Sequence, residues 1–352
     1  MQNYNFMLPI WDGDTVYNEA ILPLEDPHAK SDVIPLLYRA EEIISVSDST
    51  LTTRFTSGID YVLRDGGIVI PQGSRIKKMA WDEYNPKDKS PNAFTDIGFT
   101  CRDGGYLRFA EGAEYHVADY FVTYRHRGVW QGPKIAPNAN KLKKFRSKLS
   151  RGDGVTVAIT GDSIATGCNS SGMAGINVPP YLPIWTTMIC EHLASKYRCD
   201  VRELNRAKGG MVSQWGIDTA HESFDGTSPD LCIIAYGMND ASGEIPSETL
   251  CANYDKIAQI MLEINPACEF LFVSTTLPNP LANQFYKKHE EQEPMLYELA
   301  ERYGAKADVV PMTSVHKYLM TKKRYYDMTG NNINHPNDFL ARVYAQAICG
   351  TI

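Results

Sequence analysis

From residue 32 to residue 127 the hydrophobic positions fall in short runs, at 43–46, 59–63, 68–70, 106–109 and 120–124. They are rich in β-branched and aromatic residues and separated by turn-forming polar stretches. That texture predicts β-strands. Within it, Tyr61-Val62-Leu63-Arg64 is followed by Asp65-Gly66-Gly67 and then Ile68-Val69-Ile70. This predicts a tight hairpin, because aspartate and glycine tolerate the positive φ that short hairpin turns require. The whole stretch reads as a β-sandwich of jelly-roll type, without internal repeats. Pro133 and Pro137 then precede a basic segment, 141–151, in which Leu142, Phe145 and Leu149 fall at helical spacing, so a short linker helix with a solvated cationic face is predicted.

After Arg151 the pattern changes. Apolar runs at 155–160, 201–204, 231–235, 270–274 and 308–310 read as buried strands, separated by amphipathic stretches at 183–197, 247–264, 283–303 and 337–349 that read as helices. Strand and helix in alternation predict an α/β fold, a parallel sheet covered on both faces. The boundaries that follow are a β-sandwich module over 1–132, a linker with a short helix over 133–152, and an α/β domain over 153–352.

Composition narrows the function classes. The 352 residues carry 35 Lys plus Arg against 42 Asp plus Glu, a net charge of −7, so no basic field exists to attract nucleic acid. No run approaches the roughly 20 apolar residues that span a bilayer, so no membrane association is expected. Residues 1–20 lack the basic start and apolar core of a signal peptide, which points to the cytoplasm, although a chain trimmed of its leader would read the same. The eight cysteines are scattered and never form CxxC, so free thiols are expected. His221-Glu222 lacks a second histidine at metal-ligand spacing; no metal or other cofactor is predicted. Homo-oligomerisation is left open.

Parallel sheets keep their chemistry at the carboxyl ends of their strands. There this sequence places Gly161-Asp162-Ser163, then Lys208-Gly209-Gly210, then Gly237-Met238-Asn239-Asp240, and finally His335-Pro336 just before the last helix. Those are the parts of acyl transfer. A serine hydroxyl needs an imidazole to take its proton as it attacks, and Ser163 and His335 supply the pair. The tetrahedral intermediate needs donors for its oxyanion, and the Ser163 N–H, the Gly210 N–H and the Asn239 amide supply those. Asp162 reads as an acceptor for backbone donors around the serine loop, at the edge of the substrate site. Trp215 and Tyr181 are the aromatics placed to stack on a substrate ring, with packing as the competing role.

The four blocks together resemble the SGNH hydrolases, the GDSL esterase superfamily, over residues 155–348. That resemblance implies a three-layer, flavodoxin-like sheet and a serine esterase. It places Gly210 at the oxyanion position, with Gly209 as close competitor. One departure concerns the residue three before the histidine, where the family carries an aspartate and this chain has Asn332. A Ser-His dyad with Asn332 or a backbone carbonyl orienting the base, and Asp327 or Asp338 as a substitute acid, with capping of the final helix as the competing role of Asp338, all remain open. An N-terminal β-sandwich joined to such a domain resembles two-domain carbohydrate esterases that remove acetyl groups. The expected partner is therefore a small-molecule or oligosaccharide ester. The competing readings are a catalytically inactive carbohydrate-binding protein, motivated by Asn332, and an acylhydrolase of lipid esters or thioesters.

Overall fold

The computed structural model describes residues 6–88 and 99–352. Its centre is a five-stranded parallel sheet built from β4 (Val155–Gly161), β5 (Val201–Asn205), β6 (Leu231–Ala235), β7 (Glu269–Val273) and β8 (Ala307–Val310), in the order β5-β4-β6-β7-β8. The register pairs Val155 with Val201 and Val157 with Leu231, so β4 and β6 are interior strands, and both are almost wholly buried. This is the doubly wound order in which β4, the first strand of the domain, sits beside the point where the winding reverses. The three-layer SGNH architecture implied by the motif order is the architecture observed.

Helices α2 (Trp185–Tyr197) and α8 (Asp338–Thr351) cover one face; α3 (Ser213–Phe224), α5 (Ser247–Ile264) and α6 (His289–Arg302) cover the other. Two short helices, α4 (Met238–Ser242) and α7 (Met312–Met320), follow β6 and β8. Helix α1 (Lys143–Arg151) buries Phe145 and Leu149 as their spacing predicts, while Leu142, also buried, lies just before the helix with a φ of 52°. Its flanking cations are not merely solvated: Lys141 reaches Glu301 at 2.9 Å and Lys148 reaches Asp230 at 2.7 Å.

The N-terminal strands form small, mostly antiparallel sheets. The largest joins β1 (Thr15–Ile21), β2 (Ala40–Asp48) and β3 (Tyr120–His126), with β3 in the middle. The expected hairpin is present, pairing Val62–Arg64 with Gly67–Val69 across Asp65 and Gly66, which take φ of 53° and 80°. One hydrophobic cluster runs through both parts of the chain, from Ile21, Val46 and Tyr124 to Met328, Phe339 and Val343. Polar contacts cross the same seam. Lys323 and Glu19, both wholly buried, pair at 2.5 Å, and the Arg342 guanidinium donates to the carbonyls of Tyr17 and Asn18. All eight cysteines are free. No helix among the described residues is long and apolar enough to cross a membrane.

Candidate active site

Strand β4 ends at Gly161, where an added Cβ would lie 2.6 Å from the Ala235 carbonyl oxygen, so only glycine lets the chain leave the sheet this sharply. The turn is then closed by Asp162. Its carbonyl accepts from the N–H groups of Ala165 and Thr166, both at 3.1 Å, and its carboxyl accepts from the Ile164 N–H at 2.9 Å. Ser163 is thereby held at the strand end. Burial, with the nearby Asp240 adding to it, pushes the Asp162 carboxyl up to about 7, while the Ile164 N–H works against the rise. Asp162 is a scaffold for the loop, 1% exposed.

His335 arrives on a turn built by a single side chain. The Asn331 amide oxygen accepts from the N–H groups of Ile333, Asn334 and His335 at 2.9, 2.9 and 3.0 Å. The His335 carbonyl in turn accepts from Gly330 N–H and the Thr329 hydroxyl. So fixed, the imidazole Nε2 lies 2.8 Å from Ser163 Oγ. Nucleophile and base, 172 residues apart in sequence, are in hydrogen-bond contact.

The group that orients the ring is one the spacing rule did not reach. His335 Nδ1 lies 2.6 Å from Oδ1 of Asn169, on the loop that follows the serine. Since that amide oxygen can only accept, the Nδ1–H donates to it and Nε2 is left bare to accept from Ser163. The expectations for Asn332 and Asp327 are therefore corrected. The Asn332 oxygen accepts from Asn279 at 3.0 Å and its amide nitrogen donates to the Arg108 carbonyl at 3.2 Å. Asp327 is bound by the Arg324 guanidinium at 2.9 and 2.7 Å and accepts from Leu22 N–H at 2.8 Å. Neither contacts the imidazole. Asp338 does not cap the last helix either; Asn337 does, accepting from Leu340 N–H, while Asp338 accepts from Ser171 N–H at 2.8 Å.

With both ring partners uncharged, nothing offsets desolvation, and burial lowers the His335 pKa to about 4. The ring is neutral at pH 7, the protonation state a base needs.

Three loops carry candidate donors for an oxyanion. The N–H groups of Ser163, Gly209 and Gly210 meet no protein acceptor among the described residues. Of the two glycines, Gly209 abuts the nucleophile, since a Cβ there would sit 3.8 Å from Ser163 Cβ, while Gly210, with φ 76°, faces open space. Asn239, in the first turn of α4, donates one amide hydrogen to the Met211 carbonyl at 2.9 Å and keeps the other. Its neighbour Asp240, unremarked in the sequence, ties the loops together by accepting from Ser213 N–H at 3.0 Å and Ser213 Oγ at 2.5 Å. The end of the glycine loop and the asparagine turn are thus tied together.

Trp215 is half-buried and not a bare platform: the Lys208 ammonium lies 4.4 Å over its ring. Tyr181 is 55% exposed. Among the described residues no group of three or more His, Cys, Asp or Glu could hold a metal ion.

The model of the GDSL-like lipase/acylhydrolase family matches residues 159–342, over half the chain. No curated protein matches at a significant level. Solved structures resemble parts of it. A two-domain esterase active on acetylated mannans shares 20% identity over 62% of this chain and 52% of its own, with a TM-score of 0.46. The match thus spans about half of that esterase. A catalytic mutant of an acetylxylan esterase from Geobacillus stearothermophilus shares 14% identity over 56% of this chain and 93% of its own, at 0.45. A lipase/acylhydrolase from Enterococcus faecalis shares 16% over 55% and 93%, at 0.44. The serine, glycine, asparagine and histidine blocks all fall within the matched segment, and the chain belongs to the GDSL-like lipase/acylhydrolase family.

Proposed function

We propose that this chain is a serine esterase that removes short acyl groups, O-acetyl above all, from carbohydrate. The observation that carries the chemistry is the unbroken relay Ser163 Oγ, His335 Nε2, His335 Nδ1, Asn169 Oδ1, with spans of 2.8 and 2.6 Å. Ser163 Oγ attacks the ester carbonyl as its proton passes to Nε2. The carbonyl oxygen becomes an oxyanion facing the N–H groups of Ser163 and Gly209-Gly210 and the Asn239 amide. The imidazolium returns its proton to the departing sugar oxygen, leaving an acyl group on Ser163. Water, deprotonated by Nε2, attacks that acyl carbonyl, and the proton is handed to Ser163 as the acid leaves. The imidazolium formed in each half is stabilised by the Asn169 oxygen as a dipole, not as a charge.

The inactive reading was motivated by an amide at position 332. Against it stand the Ser163–His335 contact and an acceptor on Nδ1, the uncharged Asn169 oxygen. The carbohydrate end of the proposal is supported by the architecture, a β-rich module packed along the His335 turn, and by the exposed Tyr181 ring.

Ser163→Ala tests the reading. It should abolish hydrolysis of p-nitrophenyl acetate and labelling by a fluorophosphonate while leaving the melting temperature unchanged; undiminished turnover refutes the nucleophile. Acetylated xylo-, manno- and gluco-oligosaccharides run beside acyl-CoA and p-nitrophenyl esters of rising chain length then test the substrate. A preference for long acyl chains or thioesters over every acetylated sugar overturns the carbohydrate assignment.

A further inference from the structure

A carboxylate presents an acceptor whichever way it turns, whereas an amide presents an acceptor on one side and a donor on the other. An asparagine beside a catalytic imidazole therefore has two orientations with opposite consequences. With its oxygen toward Nδ1 the ring is protonated on Nδ1, and Nε2 accepts from serine. With its nitrogen toward Nδ1 the ring is protonated on Nε2 and has no lone pair for the serine proton. In the chymotrypsin-type triad, changing the aspartate to asparagine costs about 10⁴ in kcat through that wrong tautomer. A chain that carries the amide natively needs something that decides which way it faces.

The Asn169 amide nitrogen donates to the Gly112 backbone carbonyl at 3.1 Å. A carbonyl can only accept, so the amide nitrogen must face it and the oxygen must face His335. Gly112 belongs to the N-terminal module, 57 residues before Asn169. The segment carrying it, 108–119, is pinned along the histidine turn. Asn332 donates to the Arg108 carbonyl at 3.2 Å, and the Tyr115 hydroxyl donates to the same oxygen at 2.8 Å. His116 Nε2 lies 2.8 Å from the Pro179 carbonyl, and Asn337 donates to Asp119 at 3.0 Å. From the other side Gly330 leaves room for Asn169, since a Cβ there would come within 2.5 Å of Asn169 Cβ.

We infer that segment 108–119 is a tautomer lock: by holding the Asn169 amide through the Gly112 carbonyl, the N-terminal module selects the Nδ1-protonated form of His335. Gly112 is a positioning residue; it acts through Asn169 and touches no substrate. The catalytic consequence rests on the esterase reading above, whereas the tautomer itself does not.

The experiment is ¹⁵N NMR of the full chain labelled at histidine, with the His335 ring signals assigned by comparison with His335→Gln, alongside kcat and KM for p-nitrophenyl acetate. The native chain should show a protonated Nδ1 and a bare Nε2. One glycine inserted between Ala113 and Glu114 frees the Gly112 carbonyl to move. Tyr115→Phe, which removes one hydroxyl, loosens the same segment if the insertion fails to fold. Either should introduce the Nε2-protonated form and lower kcat by up to about twofold, the value for an amide free to turn between two equal orientations, with KM unchanged. In an Asn169→Asp background, where both side-chain oxygens accept, neither change should introduce the Nε2-protonated form. A merely structural contact would lower the melting temperature and leave the tautomer alone. The inference is overturned if folded segment variants keep the native tautomer and kcat, or if the native chain is protonated on Nε2. A native chain that turns over no ester, but whose His335 tautomer follows the segment, sinks the esterase reading and leaves the lock standing.

Discussion

Replacing Asn169 by aspartate puts a full negative charge where the imidazole now meets a neutral amide oxygen at 2.6 Å. In the native chain burial alone lowers the His335 pKa from 6.5 to about 4. A unit charge about 4 Å from the ring's charge centre, at an effective dielectric of about 20, is worth about 4 kcal/mol. At about 1.4 kcal/mol per pKa unit that is about three units, part of which goes to desolvating the new carboxylate, so a rise of about one to three units is expected. The native profile of kcat/KM for p-nitrophenyl acetate should therefore hold as pH falls and reach half its plateau at about pH 4. That of Asn169→Asp should fall off between about pH 5 and 7. Stability carries the same sign. Folding lowers this histidine's pKa, so the contribution of its neutral form is fully present above 6.5 and is lost as pH falls through about 4. A native limb near pH 6.5, or a limb that Asn169→Asp does not move, would refute the reasoning, because each requires a charge at the ring that does not come from position 169.

Three further outcomes follow from neighbouring contacts. Asn239→Ala removes a side-chain oxyanion donor and should lower kcat by about 10²–10³ with little change in KM; a rise in KM at constant kcat would instead make Asn239 a ground-state ligand. Lys323→Met strips the partner from Glu19, which retains only Leu37 N–H at 2.9 Å and the Tyr124 hydroxyl at 2.6 Å. It should cost about 3–5 kcal/mol in denaturant unfolding near pH 7, and a loss below about 1 kcal/mol would contradict the burial of that charge. Asp162→Asn keeps an acceptor for the Ile164 N–H without the charge. Burial raises the native carboxyl from 3.8 to about 7, so its stability contribution is present below 3.8 and lost as pH rises through about 7. The variant's unfolding free energy relative to the native chain should consequently improve as pH rises from about 4 to about 7 and stay level above that, and a pH-independent difference would count against the raised carboxyl.

The sheet was legible because its strands are continuous apolar runs, and β6, five buried residues in succession, has no other reading. Helix α3 was not. Gly216 interrupts its apolar face, and its reason is tertiary: a Cβ there would sit 2.6 Å from Ile257 Cδ1 on α5, so the glycine sets how closely the two helices approach. Helix α7 was missed as well, being short and bearing its buried His316 among Val315 and Leu319. At the site the nucleophile, the base and the asparagine turn could be read because each follows a strand end or precedes a helix. The orienting residue could not. Spacing from the histidine points to Asn332, and only the folded chain reveals that Asn279 and Arg108 already occupy that amide. Asn169 carries a faint local signal, a φ of 65° that asparagine tolerates better than most residues, but its meaning comes from a ring 166 residues away.

The seam beside His335 gives a physical reason for an amide in place of a carboxylate. Asp119, Asp327 and Asp338 are already buried there, between 0% and 3% exposed. Burial raises the carboxyls of Asp119 and Asp338, and Asp119 is raised further by the charges of the other two. Asn169 lies two residues from Ser171, whose N–H already serves Asp338. A carboxylate at 169 would add another negative charge to the same low-dielectric region, where like charges repel most strongly. An amide avoids that, but yields a weaker base and an orientation that must be chosen. The weaker base throws more of the barrier onto the oxyanion donors, which accords with Asp240 binding the glycine loop to the asparagine turn. The orientation has to be chosen by a group that can only accept, and the backbone carbonyl in contact with the Asn169 amide nitrogen comes from the N-terminal module. On this account the neutral site and the attached module belong together: a relative that lacked the module would need either a carboxylate beside its histidine or another acceptor in the place of Gly112.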